Sequence, residues 1–430
     1  MTIRILRLLF FLGCAYSFAQ GQGPRIDQDR LENRIIELAK FGLQNNGETE
    51  RVAFSDADIE AQQWVVSLLK EMGLETHIDF AGNIIGLRKG TNPTKKPISF
   101  GSHIDRVPNG GNYDGCVGSM SALEVLEVLN ENKIKTKHPL EIIIFSNEEG
   151  GVMGSRAIAG HLGKSALSIK NSTGYTMGEG IMRLGGDTTR IAEVARKKGD
   201  IAAFLELHIE QGGILEKRHL NIGIVEGIVG LKWWQVAFNG FANHAGTTPM
   251  NARQDALLAA ARFIIAVNEV ATGFEGAQVA TVGKISAAPG APNVIPGKVT
   301  ASLEIRDLAL EVIEKVYKAI QERASEISKD TGVAITFSAL DTTADPAIMD
   351  ASIQQEIEKT TRALGLSYTY MPSGAGHDAQ DMALIAPTGM IFIPSKGGIS
   401  HSPKEFSSAE DMANGANVLL QTILAIDDRL

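Results

Sequence analysis

Apolar positions recur three and four residues apart near the start of the chain. Leu31, Ile35 and Leu38 mark one face of a first helix, and the same period predicts a second helix over residues 58–72. Gly73 follows it, and glycine readily takes the left-handed conformation that ends many helices. The period then changes. Residues 75–80, 83–87 and 98–101 read as strands, a helix spans 115–130, and residues 140–145 form the near-continuous apolar run of a strand buried on both faces. A further strand is expected at 204–207. Strands alternating with helices in this way predict an α/β fold, a mixed but mostly parallel sheet flanked by helices.

Between about 214 and 345 the order is different. A strand at 233–238 is followed by a helix at 252–271, strands at 277–285 and 297–306, a helix at 308–329 and a strand at 333–337. That β-α-β-β-α-β order is ferredoxin-like. The first pattern then resumes, with a helix at 353–364, a strand at 390–393 and a last helix at 409–426. The expected organisation is therefore a larger domain built from 24–213 and 346–430, interrupted by a small α+β domain at 214–345.

A chain of 430 residues is long enough for two such domains. Its net charge of −9 and its lack of basic clusters argue against a nucleic-acid partner. Arg4 and Arg7 precede an apolar run over 8–18 that closes on Ser17-Phe18-Ala19. This reads as a signal peptide over 1–19, too short to span a bilayer comfortably, so the processed protein is expected to be exported without a membrane span. A lipid anchor on Cys14 is the alternative. Only two cysteines are present, and Cys116 has no partner once Cys14 is removed, so no disulfide framework is expected.

Five places carry metal-capable side chains just beyond a predicted strand or on a connecting loop, the edge at which open α/β sheets bind ligands. His103 follows the strand at 98–101, with Asp105 two residues on, able to hold the second ring nitrogen of His103. Asp114 follows the glycine-rich loop 109–113, and a carboxylate there can bridge two cations. The adjacent pair Glu148 and Glu149 follows the strand at 140–145, so that one can hold a cation while the other moves a proton. His208 lies in Glu206-Leu-His-Ile-Glu-Gln211-Gly, and His401 in His-Ser-Pro. Carboxylates and imidazoles together suit two zinc-like cations, which a few ångströms apart polarise a carbonyl and activate water.

The segments GSHIDRVPNGGNYDG, FSNEEG, LHIEQG, FANHAGTTPM, PNVIP, GAGHDAQDM and ISHSPKE, in register from Leu31 to the C-terminus, resemble one known family. It is the hydantoinase/carbamoylase branch of the aminoacylase- and carboxypeptidase-like dinuclear metallohydrolases. Members act on N-carbamoyl amino acids, allantoate or ureidoglycolate. The resemblance implies a metal-dependent amidohydrolase with two divalent ions, zinc first among zinc, manganese, cobalt and nickel. It places one ion on His103 and His208, the other on Glu149 and His401, with Asp114 between them, Asp105 in support and Glu148 as general base. Peptidase branches usually carry a carboxylate at the place of His208, and Gln211 also belongs to the amidohydrolase branch. In the inserted domain the resemblance gives His244 the developing oxyanion, reached from the partner of a homodimer, and Asn293 and Arg306 the substrate carboxylate. Gln211 and His377 would line the ureido end. Two departures bear on the substrate: Gly151 to Arg156 lacks the Arg-Phe pair of many relatives, and Arg106 stands where a small hydroxyl residue is usual. A dipeptidase or N-acyl-amino-acid deacylase on the same scaffold is the alternative enzyme. A non-catalytic binding protein is expected to have lost ligands that are all present here.

Overall fold

The computed structural model describes residues 23–44, 49–340 and 344–430. The expected signal segment and Cys14 lie outside the described residues. The chain begins with helices α1 (Gln28–Ala39) and α2 (Asp56–Glu71), then strands β1 (Glu75–Ile78), β2 (Ile84–Arg88) and β3 (Ile98–His103). Helix α3 (Cys116–Glu131) and strand β4 (Leu140–Phe145) follow. Short helices α4 (Met153–Ile158) and α5 (Met177–Arg183) lead to strand β5 (Ala203–Ile209), helix α6 (Ile214–Arg218) and strand β6 (Ile222–Ile228). Helix α2 opens on Ser55, whose side chain accepts from the Asp58 amide, and closes through Gly73 at φ 80°.

A second body then forms from β7 (Gly230–Asn239), β8 (Asn243–His244), α7 (Ala256–Gly273), β9 (Val279–Thr281), β10 (Ile285–Ala288), β11 (Val294–Ile295), β12 (Lys298–Asp307), α8 (Leu310–Thr331) and β13 (Ala334–Ala339). The chain returns through β14 (Ala347–Ile348), α9 (Ala351–Ala363), β15 (Tyr368–Ser373), α10 (Asp378–Met382), β16 (Thr388–Ile393) and α11 (Ala409–Arg429).

The large sheet runs β1-β2-β4-β3-β5-β16-β6-β14, with β15 also on β6. At its centre β3 lies parallel to β4 and β5, and β16 parallel to β5. Alternation explains why these strands are apolar on both sides. Ile142 and Ile144 of β4 join the core beneath α1, α3 and α11, while Ile143 and Phe145 join the opposite core with Phe204 and Phe392. The small sheet, β10-β12-β7-β13 with β9 on β12, is antiparallel and has its own core under α7 and α8, including Val236, Phe238, Phe263 and Ile320.

The body expected to begin at 214 begins later. Strand β6 pairs with β15 and β16 of the large sheet, and the small sheet starts at Gly230. Sheet membership is a non-local pairing, so the alternating stretch 222–228 carried no local mark of the body it joins. The single strand expected at 277–285 is split into β9 and β10.

Candidate metal centre

Three parallel strands, β3, β4 and β5, deliver His103, the Glu148–Glu149 turn and His208 to one edge of the sheet, and the loop after β16 brings His401 to the same place. Asp114 stands between them. Its Oδ1 is 3.1 Å from His208 Nε2 and 3.6 Å from His103 Nε2, and its Oδ2 is 3.3 Å from His401 Nε2. Glu149 Oε2 lies 3.4 Å from His401 Nε2. Two sets able to hold an ion result, His103–Asp114–His208 and Asp114–Glu149–His401, sharing one carboxylate. Glycine at 115 is what permits this. It takes φ 62° at the start of α3, and a Cβ there would sit 2.3 Å from His103 Nε2.

Hydrogen bonds orient both buried imidazoles the same way. His103 Nδ1 faces the Asp105 carbonyl at 3.1 Å and His208 Nδ1 the Ile209 carbonyl at 2.9 Å, so each Nδ1 carries the proton. Each Nε2 lone pair is thereby aimed at the centre. Among the described residues, His103 Nε2 is buried without a hydrogen-bond partner. That is a ligand atom awaiting a cation, and a donor set of imidazoles and carboxylates fits zinc-like ions.

Asp105 supports His103 as expected and does more. Its carboxylate lies 3.5 Å from His103 Nδ1, which also faces the Asp105 main-chain carbonyl, and the same carboxylate accepts the Glu148 and Glu149 amides, each at 3.2 Å. One aspartate thus ties the His103 ring to the neighbouring glutamates. Glu148 Oε2 is 3.6 Å from His103 Nε2, and Glu148 belongs to neither ion-holding set.

Without a cation the electrostatics are those of crowded negative charge. Burial, with Asp114 next, pushes the Glu149 carboxyl up to about 7, and burial also holds Glu148 well above the usual range. Burial works against ionised Asp114 too, but three imidazoles outweigh it and hold that group well below the usual range. The Asp114 hydrogen bond raises His401 to about 9.

The predicted substrate contacts separate into two groups. Gln211 and His377 join the centre. Gln211 Nε2 donates to Asp114 Oδ2 at 2.6 Å, so its amide steadies the shared carboxylate. His377 is buried, packs its ring 4.4 Å from that of His208 and bonds Ser373 Oγ at 2.8 Å; burial keeps it neutral. His244 on β8 and Asn293 in the turn before β11 are exposed, and among the described residues they make no hydrogen bond or ion pair with the centre. The Gly246 and Thr247 amides donate to His244 Nδ1, at 3.0 and 3.2 Å, which leaves Nε2–H as an outward donor. Arg306 is not a free cation. Its Nε and Nη2 pair with Glu304 at 2.8 and 3.1 Å, and Nη1 donates to the Gly374 carbonyl at 2.7 Å. Residues two apart on a strand share a face, so Glu304 was legible as a partner.

Two buried groups were missed. Glu206 accepts from Ser102 Oγ at 2.7 Å and the Ala379 amide at 2.9 Å, and forms a third cluster with His208 and His377. Glu405 accepts the Tyr113 and Asp114 amides, at 2.9 and 3.0 Å. It closes the segment ISHSPKE, but no role was read for it there.

Known proteins provide a comparison. The model of Peptidase family M20/M25/M40 matches residues 99–425. The chain is 42% identical over 403 residues to N-carbamoyl-L-amino acid amidohydrolase of Geobacillus stearothermophilus, covering 93% of this chain and 98% of the relative. It is 37% identical over 413 residues to ureidoglycolate hydrolase of Oryza sativa, covering 92% and 84%. A solved hydantoinase/carbamoylase family amidase from Burkholderia multivorans superposes with a TM-score of 0.87 at 34% identity, covering 94% and 98%.

Proposed function

We infer the reaction from one premise: the chain belongs to peptidase family M20/M25/M40, in its hydantoinase/carbamoylase branch. It is a metal-dependent amidohydrolase that cleaves the carbamoyl (ureido) C–N bond of a small molecule. The observation that carries this chemistry is the single carboxylate, Asp114, set against three imidazole nitrogens within 3.6 Å. Support for the ion-holding roles lies in the same distances: His103 and His208 for one ion, Glu149 and His401 for the other, Asp114 for both. Divalent ions held there supply Lewis-acid polarisation of the scissile carbonyl and activation of water. Zinc is the metal we propose, since imidazole and carboxylate together suit it.

Glu148 takes the proton of the attacking water. Its position follows from Asp105, which fixes its amide, and its freedom from either ion-holding set leaves the carboxylate for proton transfer. The same carboxyl then delivers the proton to the departing amine as the C–N bond breaks, and the carbamate left behind decomposes to ammonia and carbon dioxide. His244 Nε2–H stabilises the oxyanion of the attacked carbonyl.

The substrate is a small N-carbamoyl amino acid, allantoate or ureidoglycolate, with a carboxylate read by Asn293 and by the Arg306 N–H groups that Glu304 leaves over. His244 serves the partner's site in a homodimer formed through the small domain. Leu257, Leu258 and Ile265 leave an apolar face of α7 exposed there, and apolar faces of this kind are covered in oligomers. Export after cleavage near Ala19 completes the reading.

The test is turnover after metal reconstitution, read as ammonia release for the ureido substrates and as newly freed amine for dipeptides and N-acetyl amino acids. The panel holds N-carbamoyl-L-amino acids, N-carbamoyl-β-alanine, allantoate, ureidoglycolate, dipeptides and N-acetyl amino acids. Turnover confined to the last two classes would overturn the assignment.

A further inference from the structure

Glu405 has no part in the chemistry above, yet it is buried at 4% exposure and touches both loops that carry the shared and the second-ion residues. One oxygen accepts the Tyr113 and Asp114 amides, at 2.9 and 3.0 Å. The other accepts Ser400 Oγ–H at 2.8 Å and the His401 amide at 3.3 Å. These groups lie far apart in sequence, 291 residues between Asp114 and Glu405. We propose that Glu405 is a positioning residue for the metal centre, one carboxylate that sets the Asp114 and His401 loops against each other. The proposal rests on the two-ion reading of the site.

Four observations carry it. An ionised carboxylate only accepts, and here each of its oxygens meets two donors, so the group is saturated where it stands. Its bonds to the ligand-bearing residues run to backbone N–H groups, so Glu405 fixes where Asp114 and His401 begin and leaves their side chains free to hold ions. The loop closes directly onto it: a Cβ at Gly111 would stand 2.2 Å from Glu405 Oε1. His401 itself sits at φ 53°, a left-handed backbone that a residue with a Cβ keeps only when its surroundings demand it. The Glu405 bond to its amide is part of that demand.

Ser400 extends the device. Its hydroxyl lies 2.8 Å from Glu405 Oε2 and 3.0 Å from Asp114 Oδ2, but it has one proton to give. Settled on Glu405, that proton leaves Asp114 Oδ2 with one donor fewer, Gln211 Nε2 alone. The residue class is distinct from a ligand: removal should loosen both ions without deleting a donor atom, most of all the one on Glu149 and His401.

The experiment is zinc titration of the metal-stripped full chain against a chromogenic chelator, for wild type, Glu405→Gln and Ser400→Ala. Unfolding of each metal-free protein is followed alongside. Removing a hydrogen-bonded support of a ligand typically weakens metal affinity about 10–100-fold, and Glu405→Gln is expected to lose that much at the weaker site. Ser400→Ala should lose less, in the same site. Wild type binding two zinc ions while both variants match its affinities overturns the proposal and leaves the two-ion reading standing. Wild type that binds fewer than two overturns both. Should Glu405→Gln fail to fold, Ser400→Ala carries the test, and wild-type affinity in it refutes the proposal.

Discussion

Replacing Glu148 by Gln removes a proton acceptor and changes almost nothing else. The amide has the same shape, Asp105 still accepts the residue 148 amide at 3.2 Å, and both ion-holding sets keep every member. Stability should not suffer. Burial holds the native carboxyl well above its ordinary range; Asp378, Glu149 and Asp105 push the same way, and His103 opposes them. A neutral side chain therefore suits the metal-free pocket at least as well, and its unfolding midpoint should stay level or rise. Catalysis should fall by the general acid–base contribution, about 10²–10⁴-fold. That is roughly 2.7–5.4 kcal/mol of barrier, at about 1.36 kcal/mol per tenfold. The assay pairs ammonia release at saturating substrate with metal content of the same preparation. Retention of more than a tenth of wild-type turnover refutes the base assignment. Activity and one metal ion lost together would make Glu148 a ligand instead.

Three further outcomes are expected. Arg306→Ala should lower kcat/KM on a free carboxylate substrate about 30-fold or more, from roughly 2–5 kcal/mol for a charge-assisted pair, and much less on the matching amide; equal losses would make its Glu304 and Gly374 contacts purely structural. Mixing inactive Glu148→Gln with inactive His244→Ala should restore part of the activity through hybrid dimers, and persistent inactivity with subunit exchange demonstrated counts against a shared site. Asp58, pushed up to about 7 by burial first and Asp105 next, binds a proton in the folded chain that the unfolded chain has released. Its contribution is complete below about pH 4 and drains away as pH rises to 7, at about 1.4 kcal/mol per unit, so Asp58→Asn should flatten that part of the stability curve; parallel curves for the two proteins would sink the argument.

What could be read from the linear sequence was what local pattern encodes. A near-continuous apolar run could only be a strand covered on both faces, and β4 has a core on each side of it. His103, Glu149 and His208 stood just past strands, and parallel strands carry their ends to one edge, so their meeting followed from topology once the strands were read. The partners of these groups were harder to see because they are set by turns and distant pairings. Asp105, two residues from His103, was legible as its carboxylate support, but its second task, accepting the amide of Glu148 43 residues away, was not. Arg306 was assigned to the substrate carboxylate by resemblance alone, and the strand face it shares with Glu304 supplies the ion pair that this reading left out. Register adds a further partner that no linear reading supplies: Trp233 lies opposite Glu304 on β7, and its indole donates to the same carboxylate. A charged group bound on two sides in this way is held in place before any substrate arrives. The Arg306 fork that Glu304 holds is thus a fixed one, and in the proposed carboxylate role it is fixed geometry that would distinguish one position from another along a small substrate.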